Sequence, residues 1–232
     1  MTGPHDRPGE PMTERDPDAD ARRLAARSLA ADDPTGWFEH LYAESATGDA
    51  IVPWDSRTPH FLLVEWTAGR GPGGGRALVV GAGLGDDAEH VAALGHATIA
   101  FDVSASAVRL ARERFPDSPV DYVTADLLDP PAAWRHAFDL VVEIMTVQAL
   151  PEELHARATE SVAGFVRPGG TLLVIASGRE DGGPVGAPPW PLTASEIAAF
   201  ATGGLTAERI EDLRDGGRHR WRATFRRPRR PR

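Results

Sequence analysis

From residue 76 to the C-terminus, short runs of apolar residues alternate with segments whose apolar residues recur at helical spacing. Such alternation is typical of βα units built around a parallel sheet. The pattern predicts strands at residues 77–80, 98–101, 121–124, 138–143, 171–177, 206–213 and 220–226. It predicts helices at residues 87–94, 105–115, 152–166 and 193–201. We therefore expect an α/β fold, a Rossmann-like doubly wound seven-stranded sheet that is mostly parallel with an antiparallel edge strand.

The segments on either side of this pattern differ from it. Residues 1–20 are rich in Pro, Gly and Asp without apolar periodicity, which predicts a disordered N-terminal tail. Residues 21–75 predict a helical cap, with helices at 21–31, from Gly36 and at 59–68, closed by a glycine-rich loop. The ligand-binding domain is expected at 76–226, followed by a basic tail at 227–232. Within that domain, the sequence Pro168-Gly169-Gly170 is expected to end a helix and to turn the chain into the next strand.

The composition narrows the classes of protein to consider. Hydrophobic residues make up 41% of the chain and charged residues 25%, as in a globular domain, and no run of 18 apolar residues is present. The chain has no cysteine, which excludes disulfides, thiolate metal sites and a cysteine nucleophile. No His/Asp pair stands at metal-ligand spacing, so we expect no metal. The polar N-terminus lacks a signal-peptide pattern, and we expect a cytoplasmic protein without a membrane partner.

Charge is distributed unevenly along the chain. The net charge is −9, yet residues 218–232 contain eight arginines and no acidic residue. A basic end of this kind is one way to bind nucleic acid. The alternation of arginines with His219, Trp221 and Ala223 better fits a half-exposed strand, and residues 226–232 fit a frayed tail. We therefore expect no nucleic-acid partner, and the sequence leaves the oligomeric state open.

Candidate chemistry begins at the turn Gly81-Ala82-Gly83-Leu84-Gly85, between the first strand and the next helix. Glycines allow the backbone to turn tightly and to approach a ligand closely, at the edge where open α/β sheets bind ligands. A dinucleotide fingerprint requires a glycine at position 86, where this chain has Asp86 followed by Asp87. Two carboxylates would repel a pyrophosphate. The turn instead suits a ligand without phosphates that carries an ammonium and a sulfonium group.

Acidic residues stand at the ends of the three following strands. Asp102, beside Val103, is placed to accept hydrogen bonds from both hydroxyls of a ribose, or else to cap the helix that follows. Asp126 is placed to hold the amine of an adenine ring that Leu127 flanks, and Glu143 is expected at the same rim. Three strand-end acids beside one glycine turn predict S-adenosylmethionine as the cofactor, with S-adenosylhomocysteine as its product.

The order of these motifs, continuing through Phe138-Asp139-Leu140-Val141-Val142-Glu143 to Pro168-Gly169-Gly170, resembles class I S-adenosylmethionine-dependent methyltransferases. The flanks resemble the thiopurine and thiol methyltransferase-like group. The matching pieces are Gly36-Trp37, Pro53-Trp54-Asp55, Gln148-Ala149-Leu150-Pro151, the segment from Ala187 to Thr193, and Arg220-Trp221. The group's proline-rich lid is interrupted here, between Gly182-Gly183-Pro184 and Pro188-Pro189, which leaves its substrate preference open for this chain.

The resemblance implies roles for residues outside the glycine turn. It implies that Trp37 and Trp54 cover the cofactor, and an aromatic face attracts a sulfonium cation. It also implies a lid over the methyl acceptor that includes Trp190. We expect the acceptor to contact His40, Asp55, Met145 and Trp190.

Methyl transfer is an in-line displacement on an already activated donor, so the protein supplies mainly alignment and exclusion of water. A thiolate acceptor needs no base, whereas an amine or hydroxyl needs a proton acceptor, for which His40, His60, Asp55 and Glu143 are the candidates. None lies in a catalytic motif, and we predict no dedicated catalytic residue. The expected function is methylation of a small molecule, with a thiol or a related soft nucleophile as the favoured acceptor. The alternatives are an N- or O-methyltransferase of a secondary metabolite, a nucleic-acid methyltransferase and a catalytically silent cofactor-binding domain.

Overall fold

The computed structural model describes residues 16–182 and 188–229. In these two segments one sheet contains the strands β1 (Arg76–Val80), β2 (Ala97–Asp102), β3 (Asp121–Thr124), β4 (Phe138–Ile144), β5 (Val166–Ser177), β6 (Thr206–Asp215) and β7 (Arg218–Arg226). The α-helices are α1 (Pro17–Leu29), α2 (Gly36–Thr47), α3 (Phe61–Thr67), α4 (Asp86–Ala93), α5 (Ala105–Arg114), α6 (Glu152–Phe165) and α7 (Ala194–Ala199). Two 3₁₀ turns lie at Ala132–Trp134 and Val147–Ala149.

The strand order across the sheet is β3-β2-β1-β4-β5-β7-β6. Strands β1 to β5 are parallel to one another, and β7 is antiparallel to both β5 and β6. The predicted fold class is therefore confirmed. The reversed strand lies one place inside the edge, because β6 and β7 form a hairpin whose second strand inserts beside β5.

Side chains of the central strands alternate between the two faces of the sheet, as the period of two requires. In β1, Leu78 and Val80 pack on the face that also holds residues of α6 and α7. Ala77 and Val79 pack on the opposite face, with residues of α3, α4 and α5. Both faces of the parallel strands are thus covered, which explains why they are almost continuously apolar. Within the described segments, no helix is long and apolar enough to cross a membrane.

Helices α1 and α2 form a third cluster, the cap, beside the carboxyl ends of β1 and β2. Leu24, Trp37 and Leu41 pack there with Leu84 of the glycine turn. The first cap helix begins at Pro17, four residues before the predicted start. Asp16 Oδ1 accepts a hydrogen bond from the Asp18 backbone N–H at 2.9 Å, and proline favours the first helical position. Residues 1–15 of the predicted N-terminal tail lie outside the described residues.

The prediction for Pro168-Gly169-Gly170 was wrong in one respect. Helix α6 ends at Phe165, and Val166 already pairs with Phe138 of β4. The three residues therefore lie inside β5, where the register shifts between Phe138 and Leu140. Gly169, with φ of +82°, accommodates this irregularity.

The predicted basic tail also begins differently, because Arg227 is buried. Its guanidinium donates hydrogen bonds to the carbonyls of Val166 (2.6 Å), Ala163 (2.9 Å) and Gly203. The first two carbonyls lie at the C-terminal end of α6, where a cation is favoured by the helix dipole. Residues 230–232 lie outside the described residues.

We predict that Arg227→Met destabilises the protein, because the carbonyls of Val166, Ala163 and Gly203 lose the guanidinium as a donor. The free energy of unfolding should fall by about 3 kcal/mol, as for buried bonds to a charged group. Arg229→Met, which alters an exposed residue two positions later, should change it by less than about 0.5 kcal/mol. Urea denaturation followed by circular dichroism measures both. Equal stability of the two variants would contradict the assigned role of Arg227.

Candidate functional site

The glycine turn lies between β1 and α4, where the sheet order reverses on either side of β1. Gly83 and Gly85 have φ of +52° and +97°, a region that other residues rarely adopt. A Cβ atom on Gly83 would lie 2.8 Å from the Tyr42 hydroxyl, and one on Gly85 would overlap the Tyr122 hydroxyl. Both the backbone angles and the space around them therefore require glycine here.

Asp102 ends β2, the parallel neighbour of β1, and fixes the turn from the side. Its Oδ2 accepts a hydrogen bond from Gly83 N–H and its Oδ1 accepts one from Ser104 N–H, both at 2.9 Å. The side chain is 6% exposed, and burial raises its pKa to about 6. The capping of α5 is done by the Ser104 hydroxyl, which accepts from Ala107 N–H at 3.0 Å. Each carboxylate oxygen of Asp102 thus keeps a lone pair, as binding of two ribose hydroxyls requires.

A cavity of about 980 Å³ opens at this edge of the sheet, which is large enough for a nucleoside cofactor and a small second molecule. Ten of the eleven residues expected to bind the cofactor line it: Trp37, Trp54, Gly81, Ala82, Gly83, Gly85, Asp102, Val103, Asp126 and Leu127. Two of the four residues expected to bind the acceptor, Asp55 and Met145, line it as well.

Glu143 is placed differently from the expectation, because it is fully buried and does not line the cavity. Its Oε1 accepts hydrogen bonds from Thr146 N–H (2.8 Å) and Val147 N–H (2.9 Å), at the start of the 3₁₀ turn after β4. Burial raises its pKa to about 7. The strand-end pattern located Glu143 correctly along the chain, but its carboxylate turns inward to support the turn.

His40 and Trp190 also lie away from the cavity lining. His40 is exposed on the solvent side of α2, whose Trp37, Leu41 and Tyr42 are buried. Trp190 is buried, and its backbone N–H donates to the Gln148 carbonyl at 2.7 Å. Of the predicted lid segment, Pro188 and Pro189 line the cavity. Residues 183–187 lie outside the described part of the chain.

The two cap tryptophans meet beside the glycine turn. Trp37 is 3% exposed and Trp54 is 45% exposed, and their rings contact edge to face with centroids 6.0 Å apart. Trp54 Nε1–H donates to the Tyr42 hydroxyl at 2.8 Å. Burial and the charge of Asp102 raise the pKa of Tyr42 well above its ordinary value, so the phenol is neutral. Tyr42 was not among the site residues predicted from the sequence, although it follows the buried Trp37 and Leu41 on the apolar face of α2.

Helix α2 is attached to the sheet by Glu39. Its carboxylate accepts hydrogen bonds from the hydroxyls of Ser104 and Ser106, both at 2.7 Å, and from Ser106 N–H at 3.0 Å. These groups belong to the N-terminal turn of α5, where a carboxylate is favoured. Glu39 therefore holds Trp37 in place relative to the end of β2.

The other end of the cavity lies beyond β4, over β5 and β7, and is lined by His60, Gln148, Ser177, Arg218 and Arg220. Because β7 runs against the other strands, its first residues reach the edge where those strands end. Arg220 is half-buried and pairs across the strands with Ser177. Over residues 16–182 and 188–229, neither arginine forms an ion pair with an acidic side chain. Two arginines without an ion-pair partner in the described segments thus lie at this end of the cavity, where Asp87 also lines the wall beside His60.

None of the proposed proton acceptors is well placed to act as a base. Burial and the charge of Arg220 lower the pKa of His60 to about 4. The Arg114 guanidinium holds the pKa of Asp55 below its usual range. His40 and Glu143 lie outside the cavity lining. Across the described segments no cluster of three or more His, Asp or Glu side chains is arranged to hold a metal ion.

The fold and the site together define the class of protein. A glycine turn at a reversal of strand order, a strand-end carboxylate beside it and an aromatic cap form a nucleoside-binding α/β site. The acidic first turn of α4 does not favour phosphate. This combination fits S-adenosylmethionine rather than a dinucleotide.

Comparisons with known proteins agree. Residues 77–170 match the family model described as a methyltransferase domain. Thiocyanate methyltransferase 1 of Brassica oleracea is 28% identical over 145 residues, covering 61% of this chain and 64% of that enzyme. Probable thiol methyltransferase 2 of Arabidopsis thaliana is 25% identical over 178 residues, covering 76% of this chain and 75% of that protein. The first alignment spans slightly less than two thirds of the plant enzyme's length.

Solved structures share the fold. The N-methyltransferase NodS from Bradyrhizobium japonicum WM9, in complex with S-adenosyl-L-homocysteine, has a TM-score of 0.63 at 21% identity, covering 82% of this chain and 98% of that chain. Residues 77–170 therefore match a methyltransferase domain, and the chain is similar to proteins named for thiocyanate and thiol methylation. The resemblance drawn from the sequence motifs is confirmed.

We predict that Asp102→Asn weakens binding of S-adenosylhomocysteine at least tenfold, measured by isothermal titration calorimetry. The amide would turn an N–H group toward Gly83 N–H or Ser104 N–H and disturb the turn. Asp121→Asn, at the exposed opposite end of the neighbouring strand β3, is the matched control and should bind within twofold of the unaltered protein. Unchanged affinity in a folded Asp102→Asn protein would rule out contact with the cofactor.

Proposed function

We propose that the chain transfers the methyl group of S-adenosylmethionine to a small, soft nucleophile that enters the site as an anion, such as a thiolate. The observation that carries this proposal is the pair of arginines at one end of the cavity, Arg218 and Arg220, which line the wall together with His60, whose pKa is about 4. A thiolate brings no proton to be removed, and its charge is attracted by these arginines. The plant relatives named for thiocyanate and thiol methylation support the same class of acceptor.

The cofactor, when bound, supplies a methyl group activated by a sulfonium sulfur. The residues that would hold it are Asp102 at the ribose, Asp126 and Leu127 at the adenine, and Trp37 and Trp54 above it. Leu127 is buried, whereas Asp126 is exposed and its Oδ1 accepts from Leu128 N–H at 2.8 Å. These contacts orient the donor and exclude water, which is most of what an in-line displacement needs from the protein.

The acceptor would be bound between Met145, His60 and Arg220. Because the pKa of His60 is about 4, its imidazole is neutral at pH 7 and too weakly basic to deprotonate a thiol of pKa about 8.5. Arg220 provides charge, and burial lowers its pKa. The proposal therefore assigns these side chains to binding and assigns no residue to proton transfer.

The first test is a pH–rate series with thiols of graded acidity, scored as methylated product by mass spectrometry. If the acceptor arrives as a thiolate, kcat/KM should rise tenfold per pH unit up to a pKa that follows each thiol. A pKa that stays the same for all acceptors would indicate a base on the protein and contradict the proposal. Turnover of amines or phenols alone would favour an N- or O-methyltransferase, and cofactor binding without turnover of any acceptor would favour a silent domain.

Arg220→Gln removes the half-buried positive charge at the end of the cavity proposed to bind the acceptor. KM for an anionic thiol should rise about tenfold or more, while the affinity for S-adenosylhomocysteine should stay within twofold. Arg226→Gln, at the exposed far end of the same strand, is the matched control and should leave both constants unchanged. An unchanged KM in Arg220→Gln would exclude this residue from acceptor binding.

A further inference from the structure

The loop of residues 53–60, here named the cap loop, connects the cap to α3 and carries Trp54 to the glycine turn. Trp54 Nε1 lies 3.8 Å from where a Cβ atom on Gly83 would stand, so the ring is next to the turn. Trp54 itself is nearly half exposed. The position of its ring therefore depends on what holds the cap loop.

Asp86 and Asp87, the first two residues of α4, hold this loop, one near each end. At the far end, Asp87 Oδ1 accepts a hydrogen bond from the His60 backbone N–H at 2.7 Å. At the near end, Asp86 is joined to Asp55 through one arginine, Arg114. The acidic pair was interpreted above as suited to a cationic ligand, and the contacts give it a second role within the protein.

Arg114 is the last residue of α5, and its guanidinium bridges the two carboxylates. Nη1 and Nη2 donate to the two oxygens of Asp55 at 2.9 and 2.8 Å, a bidentate pair, and Nη1 also donates to Asp86 Oδ2 at 2.8 Å. The three side chains are only 21%, 19% and 19% exposed. Ion pairs shielded to this degree are weakened less by salt than fully exposed pairs.

The bridge connects three parts of the chain that meet at the cofactor. Asp55 follows Trp54 in the cap loop, Asp86 follows the last glycine of the turn, and Arg114 belongs to the helix that begins beside Asp102. Loss of Arg114 would leave two carboxylates facing each other. Their repulsion would push the cap loop away from α4, so the bridge both attracts the loop and screens that repulsion.

We infer that Arg114 is a positioning residue that retains the cofactor by holding the cap loop, and with it Trp54, against the glycine turn. The inference rests on the proposed cofactor site but not on the identity of the acceptor. Arg114 contacts no reacting group, so its effect should appear mainly in the rate at which the cofactor dissociates.

The test measures binding of S-adenosylhomocysteine by calorimetry and its dissociation by stopped-flow tryptophan fluorescence. Arg114→Gln should raise the dissociation constant by 10-fold to 100-fold, chiefly through faster dissociation. Arg114→Lys keeps the charge and loses the bidentate geometry. Its dissociation constant should lie between those of Arg114→Gln and the unaltered protein. Arg109→Gln is the control, because Arg109 lies on the same helix and is half exposed beside Glu113. Its dissociation constant should stay within twofold of that of the unaltered protein.

Two further measurements separate positioning from a general loss of structure. Dissociation from the unaltered protein should change little between 0.05 and 0.5 M NaCl, because the bridge is shielded, whereas added salt should slow dissociation from Arg114→Gln, because it screens the repulsion between Asp55 and Asp86. Asp55→Asn, which removes the loop's charge, should also accelerate dissociation, and the double variant should dissociate no faster than Arg114→Gln. Arg114→Gln or Asp55→Asn proteins with unaltered dissociation rates would overturn the inference. Failure of the unaltered protein to bind S-adenosylhomocysteine would instead overturn the proposed function.

Discussion

The hydrogen bond from Gly83 N–H to the Asp102 carboxylate is the contact on which the site depends. It joins the turn after β1 to the end of β2, and the parallel register of these two strands brings the two groups together. The same carboxylate accepts from Ser104 N–H, so the start of α5 is set by the same group. These donors offset part of the desolvation of the carboxylate, whose pKa burial still raises to about 6.

The cap is attached to this centre by polar contacts as well as by its apolar cluster. Glu39 binds the first turn of α5, and Asp55 is bound by Arg114 at that helix's last turn. Helix α5 therefore anchors both cap elements, one at each end. In both cases a side chain of the cap reaches a charge or a helix end that the sheet domain already provides. This arrangement places Trp37 and Trp54 without burying either ring in the main core.

Sequence patterns were most informative where local chemistry decides the structure. The apolar runs, the glycine spacing and the strand-end acids predicted the sheet and eight residues of the cavity wall, because strand ends in a parallel sheet converge at one edge. Trp37 and Trp54 were predicted from the family resemblance. Periodicity could not reveal that the Glu143 carboxylate turns inward, since both orientations follow the same strand. It also could not pair Arg114 with Asp55, which is 59 residues away. The prediction of a frayed basic tail was wrong at Arg227, because the sequence pattern could not show that its carbonyl partners lie in distant turns.

Because β7 is reversed, the residues at the donor and most of those proposed at the acceptor come from different parts of the chain. The residues assigned to the donor lie before residue 128. At the end proposed for the acceptor, Ser177 ends β5 and Pro188 and Arg220 follow it, while His60 is contributed by the cap loop. Within the sheet, the late hairpin of β6 and β7 pairs with β5 alone, and β6 is largely exposed. Changes in that hairpin and in the preceding loop can thus alter the choice of acceptor while the donor site keeps its geometry. The topology makes specificity a modular property, open to exchange between relatives or to engineering.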